Sequence, residues 1–238
     1  MSNIDTLISG IKEINIDVNN SKLEKFKTYK QLLKEWNKKI NITAIKDDDE
    51  IDLKHFLDSL TIFKTDLIKD NKKIIDIGTG GGFPGVPIKI INDSTEVLLL
   101  DSLKKRIKYL DTVIEELKLD NINTVHGRAE EYAKKPEHRE KYDIAVSRAV
   151  ASLNILSEYC LPFVKVGGYF IAMKGPDLKD EINEAKKALE TLGGEVDKNI
   201  KVKLPNSDIT HNLLIIKKIT KTPTKYPRKP GKPKKRPL

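Results

Sequence analysis

The chain has a single cysteine, a single tryptophan and no apolar run long enough to cross a bilayer, and each scarcity removes a class of answer. Cys160 alone cannot close an intrachain disulfide, so the fold must be held by packing, as is usual in a reducing compartment. The amino-terminal stretch carries Asp5, Glu13 and Asp17 and lacks the apolar segment of a secretion signal, which predicts a cytoplasmic protein with no membrane partner. No linker divides the 238 residues into two large domains, and with 38% of them apolar one sizeable core with appendages is expected.

Acid is missing from one region. Lys217 to Leu238 contains ten Lys or Arg residues, five of the eleven prolines and no Asp or Glu, while the rest of the chain is nearly neutral. The net charge of +9 therefore belongs to the tail. This composition predicts an extended segment that cannot pack and is drawn to phosphate. It reads either as an arm on RNA, with Arg228 and Lys229 among its contacts, or as a merely solubilising end.

Glycine is concentrated in one place. Residues 74–85 read IIDIGTGGGFPG: an apolar strand through Asp76 and Ile77, then Gly78, Gly80 and Gly82, where the backbone can turn sharply and approach a ligand, then a helix started at Pro84. A dinucleotide fingerprint counted from Gly78 needs its third glycine at Phe83. The alternative register, Gly80, Gly82 and Gly85, starts two residues late and encloses Pro84, which disfavours a nicotinamide-dependent oxidoreductase. DxGxGxG directly after a strand is instead the pattern of S-adenosylmethionine-dependent methyltransferases; the plain alternative is a glycine-rich turn with no ligand. A second apolar strand, 97–100, closes at Asp101, 23 residues after Gly78, where an acid can accept both ribose hydroxyls. Otherwise Asp101 caps the following helix, a task that Ser102 could take over.

Further strands are expected at 122–126 and 142–146 and up to Met173, alternating with helices at 84–91, 103–117, 128–134, 152–160 and from about Leu178. The extended runs 195–203 and 211–219 form an antiparallel hairpin at the sheet edge. The predicted fold is α/β, a Rossmann-like class I S-adenosylmethionine-dependent methyltransferase with a mostly parallel seven-stranded sheet and helices on both faces. Residues 1–70 form a small helical extension, 71–219 the methyltransferase domain and 220–238 the basic tail. In the extension, Leu23, Phe26, Tyr29, Leu32, Leu33 and Trp36 make a helical stripe that reads as core, and Ser21 with Glu24 marks its start as a capping box. Asn37, Asn41 and Thr43 form a polar loop in which Asn41 contacts RNA or fixes the chain. Asp47 to Glu50 read as a solvated helix start rather than a metal site, and no metal is expected. His55 and Asp58, one turn apart, are a core hydrogen-bonding pair or the rim of the reaction cleft.

Together DIGTGGGFPG, LLLDSLKKR, HGRAEE and SRAVASL, with WNKKINITAI, HFLDSL, MKG and YPRKPGKP, closely resemble the RsmG (GidB) family of small-subunit ribosomal RNA methyltransferases over nearly the whole chain. The resemblance implies methylation of guanine N7 in the 530 stem-loop of 16S ribosomal RNA, as free RNA or within the small ribosomal subunit, by a monomer using S-adenosyl-L-methionine. Matched by motif, it implies that Gly78, Gly80, Phe83, Ala129, Glu130 and Arg148 line the cofactor, with Asp101 at its ribose. One departure is His211, where many members carry Arg.

The chemistry agrees with that target by elimination. Cytosine C5 methylation needs a catalytic Cys, and Cys160 lies in a helix-end YCLPF segment; exocyclic amine methylation usually carries (D/N)PP(Y/F/W), and SRAV stands there instead. Guanine N7 has an in-plane lone pair and attacks without a general base, so no catalytic base is assigned. Asn41, His55, Arg148 and Lys174 are the positioning candidates. Arg148 could hold a carboxylate, a phosphate or the guanine edge, or pair structurally with Glu130 or Asp143. Lys104, Lys105, Arg106, Arg128 and Lys174 flank the cleft as phosphate contacts, the first three also reading as an ordinary solvated helix face. Two rivals stay open: a ribose 2′-O-methyltransferase using Lys174, although Asp143 starts its strand and cannot complete a base relay, and a non-catalytic RNA-binding assembly protein.

Overall fold

The structure, a computed structural model, describes residues 4–148 and 151–238; Ala149 and Val150 of the SRAVASL motif lie outside the described residues. Seven strands form one sheet: β1 (Lys73–Ile77), β2 (Glu96–Asp101), β3 (Ile122–His126), β4 (Tyr142–Arg148), β5 (Val164–Lys174), β6 (Gly194–Lys203) and β7 (Thr210–Lys218). Their order is β3-β2-β1-β4-β5-β7-β6, with the first five parallel and β7 antiparallel to both its neighbours. This is the α/β class and mostly parallel sheet expected from the sequence. Successive residues of a strand face opposite ways, so Ile74, Val146 and Ile171 enter one core while Ile75, Ala145 and Phe170 enter the other. Helices α5 (Gly85–Ile91) and α6 (Lys104–Glu116) cover the first face; α8 (Leu153–Cys160) and α9 (Lys179–Leu192) cover the second, and the short α7 (Ala129–Tyr132) follows β3. The chain leaves β1 in one direction for β2 and β3 and returns beyond it for β4 and β5. The carboxyl ends of β1 and β4 therefore border the crevice where such sheets bind ligands.

The amino-terminal helices extend the first core. α1 (Asp5–Glu13), which the sequence reading did not anticipate, packs on the turn at 52–57, and α2 (Asn20–Ile40) packs with α5 and α6, burying Leu7, Phe26, Tyr29 and Leu33 in that core. The cap of α2 differs from the expected Ser21–Glu24 box: Asn19 accepts the Lys22 N–H at 3.0 Å, because the helix begins earlier than that box requires. Asp47 caps α3 (Asp48–Ile51) by accepting the Glu50 N–H, so this acidic run is a helix start. Residues Asp52–Leu57 then widen into a π turn before α4 (Asp58–Leu60). Lys30 of α2 and Asp52 of that turn form an ion pair at 2.7 Å with both side chains fully buried, which fixes α2 against the turn carrying His55.

The tail corrects an expectation. Instead of standing free, residues 220–238 fold back onto the second core and end in α10 (Lys232–Lys235). Arg139 ties this proline-rich segment down by donating to the carbonyls of Thr222 (2.7 Å) and Tyr226 (2.9 Å), and Thr222 and Tyr226 are buried. Arg228 makes a two-pronged contact with Glu158, itself only 1% exposed, at 2.6 and 2.9 Å. Arg228, expected from the sequence to contact RNA, is thus tied to Glu158 and only partly exposed, while Lys229 beside it is exposed.

Candidate functional site

Two hollows lie either side of the place where β1 and β4 part. The ends of these strands are tied by Ser147, whose Oγ donates to the Ile77 carbonyl at 2.8 Å. The first hollow, about 260 Å³, opens over β1, β2 and β3 and is walled by Gly78, Asp101, Ala129, Glu130 and Tyr159. The second, about 540 Å³, opens over β4, β5 and β7 and is walled by His55, Asp58, Arg148, Lys174 and His211.

Of the loop glycines 78, 80 and 82, Gly78 lies on the wall of the first hollow and the other two do not line it. Gly80 sits at φ +61°, and a Cβ built there meets nothing closer than 3.9 Å, so its backbone faces open space. Its N–H donates to Asp101 Oδ2 at 2.9 Å. Asp101 also accepts the Leu103 N–H through Oδ1 at 2.8 Å and a longer contact from Arg106 at 3.3 Å. Leu103 is the residue just before α6, which has no side-chain cap, so neither Asp101 nor Ser102 caps the helix as the sequence suggested. A carboxylate offers about four lone-pair positions, so Asp101 can still accept from a hydroxyl. Glu130, buried to 5%, accepts the Gly231 N–H at 3.0 Å. Beneath the loop, Asp76 Oδ2 accepts from Thr79 Oγ1 (2.7 Å) and Gly85 N–H (2.8 Å), and burial pushes its carboxyl up to about 6. These are the groups an adenosyl ligand needs: an open backbone turn, a carboxylate at the second strand end and a further acid after the third. The residues present fit S-adenosylmethionine.

Phe83 lies on the wall of neither hollow. Its ring stacks on His55 (4.6 Å between centroids, 8° between planes) and Tyr29 (5.4 Å), with the Arg148 guanidinium 5.1 Å from its centroid. The residue is 5% exposed and part of the first core.

The second hollow is organised around Asp58. Arg148 Nη1 donates to Asp58 Oδ2 at 2.7 Å and His211 Nδ1 lies 3.0 Å from Oδ1. Burial would raise the Asp58 carboxyl, but His211 and Arg148 outweigh it and hold it below the usual carboxylate range. Neither Glu130 nor Asp143 is the partner of Arg148, as the sequence had suggested; Asp143 sits at the opposite end of its strand, accepting the Lys73 N–H and pairing with Lys165. Burial, aided by Arg148, lowers His55 to about 4, so its imidazole is neutral. With Arg148 Nη2 3.4 Å from Nδ1, the proton belongs on Nε2, which donates to Thr43 Oγ1 at 2.8 Å. Thr43 is clamped by Asn37, which donates to its carbonyl and accepts its N–H. The polar loop thus orients His55, whereas Asn41 is an exposed left-handed helix cap outside both hollows.

Lys174 is held by Glu181 (2.5 Å) and the Ala151 carbonyl (2.7 Å). Lys104, Lys105 and Arg128 are exposed near the first hollow, and Arg106 is half-buried against Asp101. Cys160 is fully buried and burial pushes its thiol well up, which removes it as a nucleophile. Sequence reasoning missed Gly231 and Lys234, which line the first hollow from the tail, and the Arg148–Asp58 pair. The sequence had set Asp58 beside His55 as a core pair or the rim of the cleft, but nothing local couples it to Arg148, so far away in the chain.

The profile of the GidB family, described as rRNA small subunit methyltransferase G, matches residues 22–210. The chain is 56% identical to a ribosomal RNA small subunit methyltransferase G of Clostridium botulinum (strain ATCC 19397 / Type A), over all of both chains. It is 53% identical to another of that name from Alkaliphilus oremlandii, over 98% of each. Among solved structures, a SAM-dependent methyltransferase from Aquifex aeolicus superposes with a TM-score of 0.53 at 18% identity, covering 74% of this chain and 96% of that one. TYW2 of M. jannaschii, in complex with AdoMet, superposes with a TM-score of 0.52 at 16% identity, covering 68% and 77%. These two likenesses speak for the fold.

Proposed function

Because the chain belongs to the GidB family of rRNA small subunit methyltransferases, we propose that it methylates guanine N7 in the 530 stem-loop of 16S ribosomal RNA, with S-adenosylmethionine as donor. The observation that carries this reading is the pair of hollows on either side of the Ser147–Ile77 tie: one fits an adenosyl ligand, and the other is large enough for a purine and lined by fixed polar groups. When bound, S-adenosylmethionine supplies a methyl carbon on a sulfonium whose sulfur leaves as a neutral thioether. Gly78, Gly80 and Ala129 would hold it by backbone, Asp101 and Glu130 by carboxylate.

The chain's own task is then to hold a guanine in line and exclude water. No side chain has to remove a proton, because N7 attacks through an existing lone pair. The product base is cationic, and the Asp58 carboxylate, kept ionised, is the acceptor charge nearest the second hollow. Arg148 would fix that carboxylate and present its remaining donors to the base edge. The same geometry argues against ribose methylation: Asp143 is at the wrong end of β4 and Lys174 is already engaged by Glu181. In this reading 71–219 is the catalytic unit and 1–70 the scaffold that presents His55 and Asp58. Chemical cleavage at 7-methylguanosine in 16S ribosomal RNA, from cells lacking the protein, tests it. One guanine in the 530 stem-loop should lose its cleavage and regain it with the wild-type chain, but not with Asp101→Ala; cleavage unchanged by deletion refutes the proposal.

A further inference from the structure

The basic tail reaches the first hollow, and nothing in its composition explains why. It is anchored twice before it arrives there: the carbonyls of Thr222 and Tyr226 on Arg139, and Arg228 on the buried Glu158 of α8. Glu158 precedes Tyr159, which lines the hollow, so the anchor sits directly behind that wall. Beyond the anchor, Gly231 turns at φ +80°, and its N–H reaches Glu130 Oε1 at 3.0 Å. The turn puts Gly231 and Lys234 on the wall of the hollow that Gly78 and Asp101 also line.

We propose that the carboxyl-terminal turn, residues 231–235, is a wall of the cofactor site, with Gly231 orienting Glu130 and Lys234 closing the adenosyl end. The inference rests on the reading of the first hollow as the cofactor site and deepens it. Glu130 has two oxygens, and fixing one by a backbone N–H leaves the carboxyl group in a single orientation for a ligand donor. Losing that restraint and the Lys234 side chain removes contacts to the part of the ligand shared by S-adenosylmethionine, S-adenosylhomocysteine and 5′-methylthioadenosine.

Calorimetry with these three compounds on the full chain, on a chain ending at Pro230 and on Lys234→Ala tests it. Ending at Pro230 keeps the Arg139 and Arg228 anchors, and Lys234→Ala keeps the whole segment, so neither depends on the fold surviving loss of the tail. The truncated chain should bind all three about tenfold more weakly, Lys234→Ala several-fold more weakly, and Lys186→Ala, an exposed lysine on α9, with full-length affinity. Unchanged affinity in the truncated chain, or a loss confined to S-adenosylmethionine, overturns the inference. A full-length chain that binds none of the three overturns the underlying reading of the hollow as well, so the two failures are told apart.

Discussion

Gly82 is where the amino-terminal extension and the ligand loop press hardest on each other. Its φ of +96° is a conformation that L side chains rarely adopt, and a Cβ there would stand 2.5 Å from Tyr29 Oη, 2.8 Å from Val86 Cγ2 and 2.9 Å from Leu110 Cδ2. Gly82→Ala therefore carries a backbone cost of about 1–2 kcal/mol and an overpacking cost of about 1–3 kcal/mol. For a chain of this size the sum is a fall in Tm on the order of 10 °C. Tyr29 donates to the Gly81 carbonyl at 2.5 Å, and Tyr29→Phe deletes both that bond and the closest of the three clashes. Denaturant unfolding of the four chains in this double-mutant cycle should show Gly82→Ala costing about 1–2 kcal/mol less when Tyr29→Phe is already present. S-adenosylmethionine affinity, measured alongside, should fall with Gly82→Ala and partly recover in the double variant. A cost below about 1 kcal/mol, or the same cost in both backgrounds, would refute the claim that α2 is packed tightly enough to shape the loop.

Asp101→Ala deletes the acceptor of the Gly80 and Leu103 N–H groups, so S-adenosylmethionine binding by calorimetry should weaken at least about tenfold; unaltered affinity would remove Asp101 from the site. Asp76, raised from 3.8 to about 6 chiefly by burial, keeps its proton in the folded chain at pH values where the unfolded chain has lost it. Its contribution to stability is complete below about pH 4 and lost as pH rises through about 6; Asp76→Asn should gain on the wild type over that window, by roughly 3 kcal/mol, and a pH-independent difference would contradict the shift. His55, lowered to about 4, acts oppositely: the unfolded chain protonates first, so stability present above pH 6.5 is lost as pH falls toward 4, and His55→Gln should flatten that limb of the denaturation curve. Cys160→Ala should retain methyl transfer to RNA, and loss of transfer in a folded variant would revive a thiol mechanism.

How much of this was legible depended on whether the information was local. The strand, acid and glycine string of 74–85 displays its own structure, because period, turn chemistry and ligand access are written in consecutive residues. The sheet followed, since short alternating elements admit few parallel topologies. What could not be read was long-range pairing. Arg148 offered a choice of acids, and only the folded chain brings Asp58 and His211 to it. The tail failed for a different reason: its composition is that of an unpacked segment, but its prolines have no N–H to satisfy, and Arg139, Glu140 and Glu158, all outside it, supply the polar partners.

The resemblance led to an expected arginine at the position of His211. An arginine in its place would put a second permanent cation against Asp58, beside Arg148, in a hollow whose product base is itself cationic. The histidine instead lies with Nδ1 3.0 Å from Asp58 Oδ1 and Nε2 3.0 Å from Thr61 Oγ1, a compact bridge that a longer guanidinium would displace. With His55 neutral, Arg148 is the sole guanidinium among the described residues lining the hollow, and it already pairs with Asp58. His211→Arg should therefore leave S-adenosylmethionine affinity intact, because His211 is not on the first hollow, and lower the single-turnover rate of methyl transfer by placing a like charge near the methylated guanine. A faster or equal rate in that variant would mean that Asp58 is a packing residue and that the cationic product is stabilised elsewhere.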